Sequence, residues 1–306
     1  MNISLCIATY RRPQRLGTLL EDLVAQRRLP NEVVVVDNDP AGSARPVVEL
    51  RRQLGAPFPI RYDIQPQKNI SLTRNRTVAL SSGDWVAFID DDERAPATWL
   101  GQLAEAAERF GADGVLGPVE PVVPAEAPAW IRRGSFYSWA RMSTGTVVPA
   151  NKLRFGNVML CGALLRDSPE PFDPDYGQTG GEDGDLLMRL AQRGACIVWC
   201  DEAVVHEPVE PARLTMRWLL LRALRGGQDF ARHRLAGRLG TLTHAGRARL
   251  FLRALLQTGL AAALALLSWP AGRHRAAFWL LKASANLGKM SIFLGWHYRE
   301  YGPRAP

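Results

Sequence analysis

Short apolar runs alternate with amphipathic helical patterns through the first 120 residues, and this alternation constrains the fold more than any other feature of the chain. Strands are predicted at Ile3–Ala8, Glu32–Val36, Ile60–Asp63, Trp85–Ile89 and Gly114–Val119, with helices between them at about 13–27, 43–54, 71–80 and 98–110. Strand, helix, strand in repetition is the pattern of a mostly parallel α/β sheet covered by helices. Pro13 suits the first turn of a helix, where its missing N–H is not needed. The sequence then predicts a long proline- and aromatic-rich loop from Glu120 to Pro149, a strand over 157–165, a helix over 182–193 and a strand over 196–200.

Charge divides the chain. Residues 1–210 hold 22 Lys/Arg against 28 Asp/Glu, and residues 211–299 hold 15 against one. We therefore expect a catalytic α/β domain over 1–210 and a basic, apolar region over 211–306. The latter begins with a basic amphipathic helix at about 213–235. Two apolar segments follow, Phe251–Trp269 and Ala276–Trp296, and they read as a helical hairpin. The uncharged stretch of the first is short for a bilayer span, and the second contains Lys282, Asn286 and Lys289, which are costly at a bilayer centre. Interfacial or re-entrant helices with snorkelling bases and Trp anchors are expected, facing an anionic membrane surface rather than nucleic acid. Cys6, Cys161, Cys196 and Cys200 form no CxxC pair and read as reduced thiols. The first residues lack a basic region and a cleavage site, so the expected location is the cytoplasmic face of the inner membrane.

Chemistry concentrates at predicted strand ends, where ligands bind in an open parallel sheet. Strand one ends in Thr9-Tyr10-Arg11-Arg12-Pro13, strand two in Asp37-Asn38-Asp39, and strand four in Asp90-Asp91-Asp92-Glu93. Three adjacent carboxylates beside an apolar wall repel one another and call for cationic compensation; their hard oxygens suit Mg²⁺ or Mn²⁺ rather than zinc. Neither a GxxxxGK[ST] loop nor a GxGxxG turn occurs, which disfavours P-loop NTPases and dinucleotide dehydrogenases. Glu182 and Asp183 follow two glycines at a helix start. Carboxylates there either cap the helix or act as a general base.

Taken in order, CIATYRRP from Cys6, VVVVDND at Val33–Asp39, NISLTRNRTV from Asn69, IDDDE and GGEDGDLLMRL from Gly180 resemble the inverting, family-2-type nucleotide-sugar glycosyltransferases of the GT-A fold, over about residues 3–210. The same runs are similar to those of exopolysaccharide glycosyltransferases of the succinoglycan-assembly kind. The resemblance implies a UDP-sugar donor, a Mg²⁺ or Mn²⁺ cofactor and a lipid-linked saccharide acceptor. It implies that Asp37 accepts a hydrogen bond from uracil, that Thr9, Tyr10 and Arg11 line the nucleotide, and that Asp90 or Asp91 holds ribose. Asn69 and Arg74 would support the nucleotide or the acidic cluster, Asp92 and His206 would hold the metal, and Asp183 would be the general base with Glu182 beside it. Gln228 lacks the Arg-Trp partner of processive members, so polymerisation is not expected. Trp130, Tyr137 and Trp139 are candidate acceptor-stacking residues. A sugar-nucleotide-forming nucleotidyltransferase is the rival enzyme, disfavoured because Thr9–Arg12 lacks a Gly-rich, Lys-containing loop. The rival of another class is a non-catalytic membrane- or nucleic-acid-binding protein.

Overall fold

A computed structural model describes residues 1–302. Along the chain the elements are β1 (Ile3–Thr9), α1 (Pro13–Val24), β2 (Glu32–Asp37), α2 (Arg45–Gln53), β3 (Ile60–Ile64), α3 (Ile70–Leu80), β4 (Trp85–Phe88), α4 (Trp99–Phe110), β5 (Gly114–Leu116), β6 (Val119–Val122), α5 (Ala129–Arg132), β7 (Val158–Cys161), α6 (Gly162–Arg166), α7 (Glu182–Gln192), β8 (Ile197–Trp199), β9 (Val205–Pro208), α8 (Met216–Leu235), α9 (His244–Ser268) and α10 (Arg273–Phe293). They form two compact units. Residues 1–120, 139–207 and 301–302 make the first, and 121–138 with 208–300 make the second.

The first unit is built on a seven-stranded sheet ordered β3-β2-β1-β4-β7-β5-β8, with β6 and β9 paired separately. β1 is central, parallel to β2 on one side and β4 on the other. Its residues and those of β2 are buried almost throughout, as expected for strands covered on both faces. Leu16, Leu19, Leu20 and Leu23 recur at helical spacing on α1 and bury its inner face. On α4, fully buried Trp99 donates its indole N–H to Asn157 Oδ1 at 2.8 Å.

Two strand expectations are corrected. The run expected to continue through Val119 breaks at Gly117-Pro118, since a Cβ on Gly117 would lie 2.2 Å from the Ala203 carbonyl oxygen. The strand expected over 157–165 ends at Cys161 and is antiparallel to β4, with Trp85 opposite Cys161. Pairing stops where β4 begins, and Gly162, donating to the Asp84 carbonyl at 2.6 Å, starts α6 instead.

In the second unit α10 packs between α8 and α9. A Cβ on Gly227 would lie 1.8 Å from the Ala285 carbonyl oxygen, and one on Gly288 would lie 2.0 Å from that of Leu224. Glycine at both places lets the backbones of α8 and α10 touch. Ser284 Oγ donates to the Leu220 carbonyl at 2.7 Å, and Gln228 Nε2 to Ser291 Oγ at 2.7 Å, so polar side chains stitch the same seam. Close small-residue contact reinforced by interhelical hydrogen bonds is how helices associate without a strong hydrophobic drive between them. α9 turns Ala254, Ala261 and Ala265 inward and leaves Leu252, Leu255, Leu256, Leu260, Leu266 and Leu267 exposed. The stretch 120–149, read from the sequence as one aperiodic loop, contains β6 and α5 and is divided between the two units.

Candidate active site

Parallel register places the ends of β1, β2 and β4 side by side. Thr9 stands opposite Asp37, and Cys6 opposite Phe88, so the acidic run after β4 passes beside the end of β1. Thr9 Oγ1 donates to Asp91 Oδ2 at 2.7 Å. Arg12 Nη1 reaches Asp91 Oδ1 at 3.2 Å and Asp92 Oδ2 at 2.9 Å, and Arg15 stands 3.6 Å from the same Asp92 oxygen. Burial pushes the Asp91 carboxyl up to about 6, against the opposing pull of Arg12. Burial also raises Glu93 well above the usual carboxylate range, with Asp90 adding to the rise; Glu93 Oε2 accepts from the Asp90 amide at 3.0 Å.

The centre of the site is Arg74. It projects from α3, buried, with its guanidinium 4.7 Å from the centroid of Phe155 and 5.9 Å from that of Phe172. Nη1 donates to Glu182 Oε1 at 2.5 Å, and Nη2 to Asp90 Oδ1 at 3.2 Å. Burial alone would lower its pKa, but Glu182, Asp90 and Asp183 together raise it, so the guanidinium stays charged. This one cation ties the end of β4 to the start of α7. Asp90 is 47 % exposed at its side chain; desolvation in its recess raises its carboxyl, Asp92 and Asp183 add to the rise, and Arg74 opposes it.

α7 begins after Gly180 and Gly181, at φ 83° and 94°, conformations that favour glycine. That turn delivers Glu182 to Arg74 and leaves Asp183 half-buried, its Oδ1 accepting from the Gly184 amide at 2.7 Å. Asn75, which the sequence reading passed over, exchanges two hydrogen bonds with the Phe172 backbone at 2.7 and 2.8 Å and so fixes the ring beneath Arg74.

Other expected residues have different surroundings. Asp37 is fully buried: Oδ2 accepts from the Ala44 amide at 2.7 Å and the Tyr62 hydroxyl at 3.2 Å, and Oδ1 from the Asp39 amide at 2.9 Å. These bonds hold the turn that presents Asp39 to Arg11, at 3.2 and 3.3 Å. Asn69 caps α3 by accepting from the Leu72 amide at 3.0 Å, and it donates to the Pro174 carbonyl at 3.1 Å. Arg11 has φ 55°, an uncommon conformation for a residue with a side chain. Tyr10 has two cations near its ring, Arg11 at 5.1 Å and Lys68 at 4.8 Å from the centroid. His206 exchanges backbone hydrogen bonds with Arg94, just past the acidic run, while its Nδ1 lies 3.8 Å from Glu120 Oε2. Trp130 and Tyr137 join hydrophobic packing in the second unit, where Tyr137 stacks on Trp218 at 5.9 Å. Trp139, in the first unit, is exposed under Arg154.

Among the described residues no group of three His, Cys, Asp or Glu is arranged to hold a metal ion. Asp90, paired with Arg74, and Asp92, paired with Arg12 and Arg15, are hard oxygen donors, and Mg²⁺ commonly binds through one or two carboxylates with substrate phosphates completing its shell. The donor set fits a divalent cation in that shared form.

Residues 4–168 match the family described as glycosyl transferase family 2. The chain is 37% identical over 313 residues to the succinoglycan biosynthesis protein ExoM of Rhizobium meliloti, covering 99% of this chain and 97% of that protein. It is 33% identical over 217 residues to the galactofuranosyltransferase GlfT1 of Mycobacterium tuberculosis, covering 65% and 68%. Among solved structures, S. aureus TarS 1–349 in complex with UDP matches with a TM-score of 0.54 at 19% identity, over 100% of this chain and 98% of that one. The mannosyltransferase PcManGT from Pyrobaculum calidifontis, in complex with GDP-Man and Mn²⁺, matches with a TM-score of 0.64 at 18% identity, over 96% and 87%. These structural likenesses support the GT-A type of sheet expected from the motif order.

Proposed function

Since the chain belongs to glycosyl transferase family 2 and is a glycosyltransferase, we propose that it transfers a hexose, glucose from UDP-glucose, with inversion onto a lipid-linked oligosaccharide in exopolysaccharide assembly at the cytoplasmic face of the membrane. The observation that carries this reading is the bridge made by Arg74. It joins Glu182 to Asp90, and so brings Asp183 into electrostatic reach of the acidic run.

In this reading the acceptor hydroxyl attacks the anomeric carbon from the side opposite the leaving diphosphate, and the Asp183 carboxylate takes the hydroxyl proton. An α-linked donor gives a β product. Glu182, neutralised by Arg74, positions the start of α7 rather than competing for that proton. Tyr10, backed by Arg11 and Lys68, offers a ring to the uracil and cations to the phosphates. Asp37 supports this nucleotide site by holding the Asp39 turn. Asp90 and Asp92 would hold Mg²⁺ or Mn²⁺ together with the donor's diphosphate. When bound, that ion would offset the charge developing on the leaving group.

Similarity to the succinoglycan biosynthesis protein along nearly its whole length supports the exopolysaccharide setting. Membrane association is supported by α9, the one helix among the described residues long and apolar enough to cross a bilayer. The test is to incubate the protein with UDP-sugars and Mn²⁺ and a lipid-linked acceptor pool. Glycosylated lipid and released UDP, both abolished by EDTA, are expected. Transfer that persists in EDTA would overturn the metal assignment, and transfer from a different nucleotide sugar would overturn the donor.

A further inference from the structure

The turn between α9 and α10 carries a cavity of about 340 Å³ that the transfer reaction does not use, lined chiefly by Arg133, Ser268, His274, Arg275, Phe278 and Trp279. No carboxylate lines it, and the only acidic residue between 211 and 299 is Asp229, on α8. Arg273, the remaining cation of the turn, lies over the Trp130 ring at 4.9 Å. Ser268, in the cavity wall, is flanked in sequence by two exposed apolar side chains. Leu267 is 76 % exposed and Trp269 61 % exposed.

The cavity thus joins two chemistries. Its arginines suit a phosphate, which guanidinium groups bind through paired N–H donors, while its rim continues into the apolar face of α9. A free phosphate would leave that apolar rim in water. A nucleic acid strand calls for a groove that follows its backbone, and this cavity is local.

Helix α9 fixes the direction from which such a ligand comes. Leu252, Leu256, Leu260 and Leu267 form an exposed stripe about 22 Å long, less than the ~30 Å of a hydrocarbon core. Arg247, Arg249 and Arg253 stand at one end of the helix, and Arg273 and Arg275 lie just beyond the other. By length and composition α9 could cross a bilayer, but a bare stripe this short with cations at both ends instead seats it along the interface, both ends among headgroups.

We propose that this cavity binds the phosphate headgroup of an anionic phospholipid, with the acyl chains lying along Leu266, Leu267 and Trp269. The proposal rests on the membrane association argued above. It adds a headgroup site, so that the protein selects anionic membrane rather than merely adhering to any bilayer.

The test is flotation of the full-length protein with vesicles of phosphatidylcholine alone and of phosphatidylcholine mixed with phosphatidylglycerol. Wild type is expected to bind both, and the mixed vesicles about thirty-fold more tightly. Arg133→Gln with Arg275→Gln removes that preference and keeps binding to phosphatidylcholine; far-UV circular dichroism and UDP-sugar hydrolysis stay unchanged as checks on folding. Arg247→Gln with Arg249→Gln removes the same charge outside the cavity and retains most of the preference. Equal losses in the two double variants, or a wild type indifferent to phosphatidylglycerol, would overturn the headgroup site while leaving membrane association intact. Absence of binding to either vesicle would overturn membrane association itself.

Discussion

The two compact units treat charge in opposite ways. In the first, buried charges each find an opposite partner: Arg74 serves Glu182 and the half-exposed Asp90, and the more exposed Arg12 and Arg11 serve buried Asp91 and Asp92 and buried Asp39. In the second, 17 Lys/Arg stand against four Asp/Glu, and exposed leucines accompany them. A buried charge network costs desolvation and is kept in register only by complete pairing. A one-signed basic and apolar surface is instead suited to a partner that brings negative charge and hydrocarbon. The contrast separates a site that holds a small ligand in fixed geometry from a surface that meets a membrane.

The largest expected effect breaks the first unit's chemistry without touching its stability. Asp183→Asn should keep UDP-sugar binding, measured by calorimetry, and lower the transfer rate about 10²- to 10⁴-fold; preserved turnover would remove Asp183 from the base role. Arg74→Met should destabilise the fold by about 3–5 kcal/mol in denaturant unfolding, because Glu182 then loses its buried counter-charge. On the second unit, Leu256→Asp should leave the unfolding midpoint nearly unchanged, since this side chain is 74 % exposed, and shift protein from the membrane fraction to the soluble one. The expected loss of membrane affinity is about 1.5–3 kcal/mol. Gly288→Ala should cost about 1–3 kcal/mol by pressing a methyl group onto the Leu224 carbonyl.

The smallest effect concerns pH. Burial raises the Glu32 carboxyl, but hydrogen bonds from Ser4 and Ser82 and the nearby Arg61 outweigh it and leave the group below its ordinary value. A carboxyl depressed in the folded state contributes stability above its unfolded pKa and loses it as pH falls through the folded one. Glu32→Gln should therefore flatten the acid limb of a stability-against-pH curve. An unchanged limb would assign acid sensitivity elsewhere.

The sheet was legible because doubly covered strands are continuous apolar runs, as in Val33–Val36, and α1 and α4 show helical periodicity. The end of β7 was not, because Gly162-Ala163-Leu164-Leu165 is as apolar as a strand and turns into a helix only where its partner β4 runs out. Within the site, the acidic run and the Glu182-Asp183 pair stand out in sequence. The surroundings of Asp37 and Asn69 do not, since the same side chain reaches either a ligand or a neighbouring amide, and only the folded turn decides between them. Arg12 was passed over as one of two adjacent arginines, although the register sends Arg11 to Asp39 and Arg12 to Asp91 and Asp92.

By itself, the sequence determined the main strands of the sheet and the helices between them, that acids gather at strand ends, and that the last third is basic and apolar. Periodicity and composition are local and survive without the fold. Tertiary structure decided which acid faces which base: it placed Arg74 between residues 108 positions and 16 positions away, Glu182 and Asp90. Such a contact depends on sheet order and on the two glycines that start α7, and neither distance is written along the chain.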